Sequence, residues 1–388
     1  MKTNRAESST CYPSLQDINR LLPKHLREVD PWRSLWSLCT SSVLIFLSMA
    51  IGYYLLETFG FTSVWSYPLF FAYSFVIGTC LVGYWILAHE CGHGSFIKPK
   101  WLEDSIGLIL HTTCLIPYFA WARSHLLHHA NHGHLEKDTA YVPVVDGSLK
   151  SRFIYQLPRR LLGQKFSNAV YILLAVFIGW PLYLLAGLTG GKFLGLNHFV
   201  PLTKKSFDPF PGWQLKLKVL VNTIVYAFWV CAIIQLLLSE HAVTVFWLYV
   251  LPLFWVNAWL IVYTFLHHTD DRSYWLDQKT WSFTEGAFSS IDRSYWSVTN
   301  FLHHNIGRYH VYHHLNSKIP HYHGKEATRL IQQAYPEFHR FDQTHPLRAL
   351  WRAVGTAGVV AKKSDGRYHL TTACEPVKIF ELMKTIKD

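Results

Sequence analysis

Four long stretches of the chain carry no charged side chain, and they constrain its fold more than any other feature. A helix needs roughly 20 apolar residues to cross the hydrocarbon core of a bilayer, and each stretch meets that requirement. The last two are separated only by Glu240 and His241, which predicts a tight hairpin. The predicted transmembrane helices cover residues of about 35–56, 67–87, 219–239 and 242–266.

Two further apolar stretches are short or broken. Residues 106–120 are interrupted by His111 and Pro117, which favours an interfacial or re-entrant segment. Residues 169–191 are broken at 179–181, and their position relative to the membrane stays open. The pattern predicts an all-α integral membrane protein with four transmembrane helices, interfacial helices and a cytosolic helical cap.

The composition agrees with a membrane protein. Half of the residues are hydrophobic and only 16% are charged, which is too little charge to cover a soluble protein of this size. The net charge of +11 comes from basic residues scattered between apolar runs, not gathered in one stripe as nucleic-acid binding would require. Because basic residues flank the same ends of all four spans, we expect both termini in the cytosol.

These features suggest one membrane domain with two flanking segments. Residues 1–34 are expected to form a cytosolic N-terminal segment, and residues 341–388 a cytosolic C-terminal tail. The domain between them, residues 35–340, would carry its histidine-rich cap on residues 88–166 and 267–340. Several of the seven cysteines lie inside apolar runs, so they do not indicate a disulfide framework.

Three histidine-rich motifs, here called the histidine boxes, follow the predicted spans. The first is H-E-C-G-H, and the second and third share the pattern H-x-x-H-H. On a helix these spacings bring the histidines of each box onto one face. The box histidines are His89 and His93 in the first box, His125, His128 and His129 in the second, and His310, His313 and His314 in the third.

The number of histidines indicates two metal ions. One first-row metal ion takes at most about six ligands, and the boxes supply eight imidazoles. Imidazole binds Fe, Zn, Cu and Ni, so the ligand type alone does not identify the metal. A site that faces acyl chains favours O₂ activation by ferrous iron over hydrolysis. Glu90 and Asp138 are candidates to orient ligand histidines, with helix capping or solvation as the alternative.

The remaining histidines divide by position. His268, at the end of the fourth span, and His304, before the third box, are candidate supplementary ligands. For His111, His132, His134, His321 and His323 we favour a hydrogen-bonded or surface role. For His25, His198, His241, His339 and His345 we expect interfacial anchors or solvated side chains.

Two other classes of protein are alternative interpretations of this histidine pattern. The first box satisfies H-E-x-x-H, the motif of zinc metalloproteases, in which the glutamate is the general base. Such a site needs only one further ligand and leaves the other two boxes without a role. A metal carrier would place ionisable residues near the middle of the membrane, whereas here the histidines follow the ends of the spans.

Beyond the boxes, the chain resembles the integral-membrane fatty acid desaturases. It is most similar to the Δ12 (omega-6) acyl-lipid desaturases and the related omega-3 desaturases, hydroxylases, acetylenases and conjugases. The resemblance covers roughly residues 12–340 and includes segments around the second and third boxes. These segments are residues 107–119, 124–138, 179–183, 291–293, 304–306 and 319–322.

The resemblance implies that the eight box histidines bind two iron ions, and it strengthens His268 and His304 as further ligands. It implies O₂-dependent formation of a cis double bond in a lipid-linked or CoA-linked acyl chain, with oleoyl and the Δ12 position expected. The electrons would come from a separate donor, such as cytochrome b5 with its reductase, or ferredoxin. In a eukaryote the endoplasmic reticulum membrane is expected. Leu126, Leu127 and Gly94 depart from the family's usual residues, which leaves the substrate and the reaction outcome open.

Overall fold

The structure is a computed structural model that describes residues 11–148, 150–191, 195–201, 208–356 and 358–371. Lys204 and Lys205, two of the basic residues flanking the spans, lie outside the described residues, as do residue 357 and residues 372–388 of the predicted C-terminal tail. The helices are α1 (Leu15–Leu21), α2 (Pro31–Phe59), α3 (Ser66–His93), α4 (Lys100–Thr113), α5 (Tyr118–Asn131), α6 (Leu157–Leu162), α7 (Gln164–Ala186), α8 (Trp213–Leu237), α9 (Ala242–Leu266), α10 (Phe283–Phe288), α11 (Ser297–Leu302), α12 (Val311–Leu315), α13 (Gly324–Ala334) and α14 (Pro346–Thr356).

The predicted fold class is confirmed, and helices cover all four predicted spans. These are α2, α3, α8 and α9. By length and composition α7 is a fifth candidate span within the described residues, so the stretch that the sequence left open is a helix long enough to cross a membrane. The α4–α5 pair bends by 101°, since Pro117 at the start of α5 disfavours helical backbone in the residue before it.

Proline also explains the irregular turns inside the apolar helices. Residues Ala175–Gly179 of α7 and Phe246–Val250 of α9 are π-helical. Pro181 and Pro252 follow these segments within two residues. A proline within a helix lacks an N–H and clashes with the carbonyl four residues earlier. The wider π turn accommodates that clash while the helix continues.

α3 is the central helix of the membrane region. Within its most apolar window 67% of the residues are buried, compared with 39% or less in the other candidate spans. Its most extensive contact is with α9. Two indole N–H groups of α9 donate to hydroxyls of α3, Trp255 to Ser74 (2.9 Å) and Trp259 to Thr79 (3.0 Å). α3 continues without a break to His93, so the first histidine box extends rigidly from a buried span.

The cap contains short strands that the sequence did not predict. They are β1 (Val144–Val145), β2 (Tyr274–Trp275), β3 (Asp292–Arg293), β4 (Phe341–Asp342), β5 (Val359–Lys362) and β6 (Tyr368–Leu370). Strands β1, β5, β6 and β2 form one sheet in that order, and β3 pairs with β4 in parallel. The fully buried Arg293 donates to Asp342 (2.6 Å) and to the Thr344 carbonyl (3.0 Å). The described part of the predicted tail is therefore packed into the cap.

The close contact of α3 with α9 depends on Gly78. A Cβ atom at this position would lie 2.5 Å from the Pro252 carbonyl oxygen and 2.6 Å from Trp255 Cβ. We predict that Gly78→Ala destabilises the protein by about 1–3 kcal/mol, because backbone must move to admit the methyl group. The measurement is the thermal unfolding midpoint of the purified protein in detergent.

Gly52→Ala is the matched control for Gly78→Ala. A Cβ at Gly52 would meet only side-chain atoms of Leu248 and Tyr73, at 2.8 Å, which can rotate away. Alanine also favours helix over glycine by about 0.8–1 kcal/mol. Equal midpoints for the two variants would contradict a specific role of Gly78 in this contact.

Candidate metal centre

Three elements carry the histidine boxes to one place. The first box is the last turn of α3, the second lies on α5, and the third begins at His310 and continues through α12. All of the box histidines except His125 are buried. Their spacings place each set on one helical face, and those faces point toward one another in the structure.

The first cluster contains five histidines whose nearest ring nitrogens all lie within 4.8 Å of one another. The Nε2 atom of His89 is 3.2 Å from that of His93 and 3.0 Å from that of His313. The second box contributes His125 and His129, whose Nε2 atoms are 3.0 Å apart. All three boxes therefore contribute to this cluster.

The second cluster also contains five histidines, in two overlapping groups that share His314. The groups are His128, His132 and His314, and His268, His310 and His314. His268 connects them, because its Nε2 atom lies 3.3 Å from that of His128 and 3.4 Å from that of His310. The two clusters adjoin, since the His129 ring stacks on the His314 ring with 4.2 Å between centroids.

The donor set of both clusters suits a metal ion. Histidine nitrogens bind metals such as zinc at about 2.0–2.1 Å, so two neighbouring ligands of one ion stand roughly 3 Å apart, as these Nε2 atoms do. Only neutral imidazole binds a metal. Burial, aided by the charges of neighbouring histidines, holds the pKa values of His310 and His314 well below their usual range. Burial also lowers the pKa of His313 to about 3, so these rings are neutral at physiological pH.

Two buried carboxylates face the Nδ1 atoms of cluster histidines. Asp138 accepts the Nδ1–H of His128 (2.7 Å) and lies 3.4 Å from His132 Nδ1. Although burial raises it, the charge and hydrogen bond of His128 keep the pKa of Asp138 well below its usual range. In the first cluster, Glu90 Oε1 lies 3.5 Å from His89 Nδ1. Since both carboxylates are buried, a solvated role is excluded, and each carboxylate can fix the orientation of a ring.

A third buried carboxylate, which the sequence analysis missed, fixes the third box. Asp292 Oδ1 accepts the backbone N–H groups of His310 (2.5 Å) and Val311 (2.7 Å). Its other oxygen accepts the Nε2–H of His339 (2.8 Å), whose side chain is almost buried and not solvated as expected. The parallel pairing of β3 with β4 brings this pair together. Residues 339–342 thus brace the start of α12.

The ring nitrogens of the remaining histidines have different surroundings. His132, for which the sequence favoured a hydrogen-bonded or surface role, joins the second cluster, and its Nε2 has no hydrogen-bond partner among the described residues. His268 also joins this cluster, as proposed from the sequence. His304 lies apart, with its Nε2 2.9 Å from Ser41 Oγ. His267, though next to His310, donates to the Ile291 carbonyl (2.7 Å) and faces the Tyr295 hydroxyl (3.3 Å).

A sequence signal for His132 existed. It lies four residues after His128 and three after His129, so it extends the second box along the same helical face by one turn. His132 directly follows the last residue of α5, Asn131, as the C-cap of that helix. The neighbouring His134 points elsewhere, with its Nε2 3.3 Å from Gln278.

The arrangement also weighs against a zinc-protease site. Such a site would hold His89 and His93 with one further protein ligand. In the structure these two histidines lie among three others, and a second cluster adjoins them. All three boxes instead contribute histidines to two adjoining groups that could hold metal.

Comparison with known proteins agrees with this arrangement. Residues 68–345 match the sequence model of the fatty acid desaturase family. The chain is 33% identical to the omega-6 fatty acid desaturase, endoplasmic reticulum isozyme 2, of Glycine max, over 87% of this chain and 85% of the relative. It is 33% identical to a Delta(12) fatty acid desaturase of Calendula officinalis, over 87% and 84%. It is also 31% identical to the oleoyl-12-hydroxylase of Ricinus communis, over the same two shares.

The contact between Asp138 and His128 gives a testable consequence. We predict that Asp138→Asn weakens metal binding by about 10–100-fold, because it removes the negative charge that holds His128 and faces His132. The measurement is metal content per protein by mass spectrometry after dialysis against a series of chelator concentrations. Asp365→Asn, which alters an exposed aspartate–histidine pair with His369, is the control. Equal metal retention in the two variants would contradict the role given to Asp138.

Proposed function

Because the chain belongs to the fatty acid desaturase family, we propose that it introduces a cis double bond at the Δ12 (omega-6) position of a lipid-linked oleoyl chain, with O₂ as co-substrate. The protein is a membrane oxidoreductase that acts on a fatty acyl chain. The observation that carries the proposal is the pair of adjoining five-histidine clusters. Hydroxylation at the same position is the alternative, supported by the similarity to the Ricinus communis hydroxylase.

We propose that each cluster holds one iron ion. The first ion would be bound by His89, His93, His125, His129 and His313. The second would be bound by His128, His132, His268, His310 and His314. This set keeps the eight box histidines and His268, adds His132 and leaves out His304. When bound, two ferrous ions supply the chemistry that activates O₂ and removes hydrogen from an unactivated methylene.

The protein itself orients the ligand rings and keeps water away. Asp138 holds the proton of His128 on Nδ1, which leaves Nε2 free to bind metal. Two tryptophans cover the first cluster, since Trp85 stacks on His89 at 5.6 Å and Trp121 on His125 at 4.5 Å between centroids. The methylene to be oxidised has no polar group that the protein could bind. An apolar wall of this kind therefore fixes the position of the acyl chain by van der Waals contact.

We extend the proposal to the electron donor of the protein, its membrane and its orientation in that membrane. A separate donor, such as cytochrome b5 with its reductase or ferredoxin, would dock on the basic cytosolic cap, and the chain's charge of +11 supports an acidic partner. The Glycine max relative, named as an endoplasmic reticulum isozyme, supports that location. Both termini would face the cytosol. Residues 35–340 would form the membrane domain, between segments 1–34 and 341–388.

The proposed ligand set differs from the sequence-based one at His132 and His304, which makes the two residues a direct test. We predict that His132→Ala loses a large share of the bound iron, because the second ion loses a ligand. His304→Ala should keep its iron, because its ring contacts Ser41 and neither cluster. Iron per protein is measured by mass spectrometry of purified variants. Iron loss in His304→Ala with full retention in His132→Ala would reverse the assignment.

The reaction is tested by expression in a yeast rich in oleate, followed by gas chromatography and mass spectrometry of fatty acid methyl esters. We predict a new diene with its second double bond at Δ12, absent from a His313→Ala variant. A hydroxylated product would favour the alternative. Unchanged lipids from stable protein that binds a single zinc ion would refute the proposal.

A further inference from the structure

A cavity of about 280 Å³ lies beside the metal centre and belongs to neither cluster. It is enclosed by the first part of α2, residues 301–305 and residues 321–325. Binding pockets for whole drug-sized ligands measure about 300–1,000 Å³. This cavity therefore suits the polar end of a larger amphiphile, with the remainder of that molecule outside it.

Two imidazole–hydroxyl pairs line the cavity. His321 Nε2 lies 3.0 Å from Ser37 Oγ, and His304 Nε2 lies 2.9 Å from Ser41 Oγ. The hydroxyl hydrogen of Ser37 is donated to the Arg33 carbonyl (3.0 Å). These paired groups give the cavity a polar wall.

The backbone at the same wall is strained. His304 and Asn305 have φ angles of +50° and +58°, in the left-handed region that side chains other than glycine rarely adopt. Strain of this kind is typically kept at ligand-binding positions, where the surrounding structure enforces it. Here the two residues turn the His304 ring into the cavity and away from the histidine clusters.

The mouth of the cavity is positively charged. Lys325 lines it and is exposed, and Arg33 lies 4.3 Å above the ring of Tyr322, another lining residue. Neither cation has an ion-pair partner within the described part of the chain. The nearby acids are engaged, since Asp30 accepts backbone N–H groups at the start of α2 and Glu326 pairs with His25 at 3.4 Å. The mouth therefore favours an anionic group.

The surroundings place the cavity at a membrane surface. Trp32 and Trp36 lie at the beginning of α2 and are 80% and 74% exposed. Tryptophans in such positions mark the boundary between membrane and water. An anionic ligand that reaches a cavity at this level is most simply a lipid headgroup of the adjoining leaflet.

The cavity is also close to the first cluster. The backbone N–H of His321 donates to Glu90 Oε2 (2.9 Å), and Glu90 Oε1 lies 3.5 Å from His89 Nδ1. One layer of side chains thus separates the cavity from a candidate metal ligand. Accepting the proposed function, we infer that this cavity binds the phosphate-bearing headgroup of the glycerolipid substrate, and that Lys325 selects phospholipid over neutral lipid.

The test compares lipid binding by the full-length protein in detergent. Dioleoylphosphatidylcholine and dioleoylglycerol are titrated separately, and bound lipid is counted by native mass spectrometry. We expect the wild type to prefer the phospholipid by about tenfold or more in Kd. Lys325→Glu should bring the preference close to one, because it reverses the charge at the mouth. Lys279→Glu, which reverses another exposed lysine of the cap, should leave the preference unchanged.

A second variant tests the cavity apart from the charge. Thr40 lines the cavity and makes no side-chain hydrogen bond in the described part of the chain, so Thr40→Phe fills space without removing a bond. It should weaken phospholipid binding while leaving iron content intact. An unchanged preference in both Lys325→Glu and Thr40→Phe overturns the inference. Displacement of the phospholipid by inorganic phosphate alone would also overturn it, in favour of a free-anion site.

Activity in the same preparations separates this inference from the proposed function. Each variant is assayed with an oleoyl ester that lacks phosphate. Full turnover of that ester, together with a lost phospholipid preference in Lys325→Glu, supports both statements. If no preparation desaturates either substrate but the preference still depends on Lys325, the headgroup site stands and the proposed function fails.

Discussion

The constraint on which the rest of the structure depends is the burial of ten imidazoles in two adjoining clusters. A buried polar ring is costly unless both of its nitrogens are satisfied. His267 and His303 meet this demand with protein partners on both nitrogens. Most of the cluster histidines instead turn their Nε2 atoms toward one another, an arrangement that is compatible with a metal site. Within the described residues, the fold keeps such rings together without placing a carboxylate among the Nε2 atoms.

The membrane region and the cap each position some of the histidine boxes. α3 passes through the centre of the helix bundle and carries the first box directly out of it, so those rings inherit the rigidity of the most buried span. The bend between α4 and α5 brings the second box back toward α3. The helix of the third box has only five residues, which is too short to be stable on its own. Asp292 stabilises its first turn by accepting the backbone N–H groups of His310 and Val311.

Local features of the sequence were enough to predict the spans and the three boxes, because missing charge and helical spacing are both short-range signals. His268 was a candidate supplementary ligand because it lies at the end of a span. His132 was missed although its spacing extended the second box. The role of Asp292 was out of reach, since it depends on pairing with residues about fifty positions later. For His304 the sequence position suggested a further ligand, whereas in the structure its left-handed backbone turns the ring toward Ser41 and away from both clusters.

The brace formed by residues 339–342 has a consequence for biosynthesis. The first box leaves the ribosome long before His339 and Asp342 do, and at about 5–20 residues per second the delay is of the order of 10–50 s. During that interval the early histidines lie at the end of an inserted span without the partners that the completed cap provides. If the clusters bind metal, binding by all three boxes would therefore come at the end of synthesis, because a nascent chain that stops before residue 339 lacks the contact between His339 and Asp292 that supports the third box.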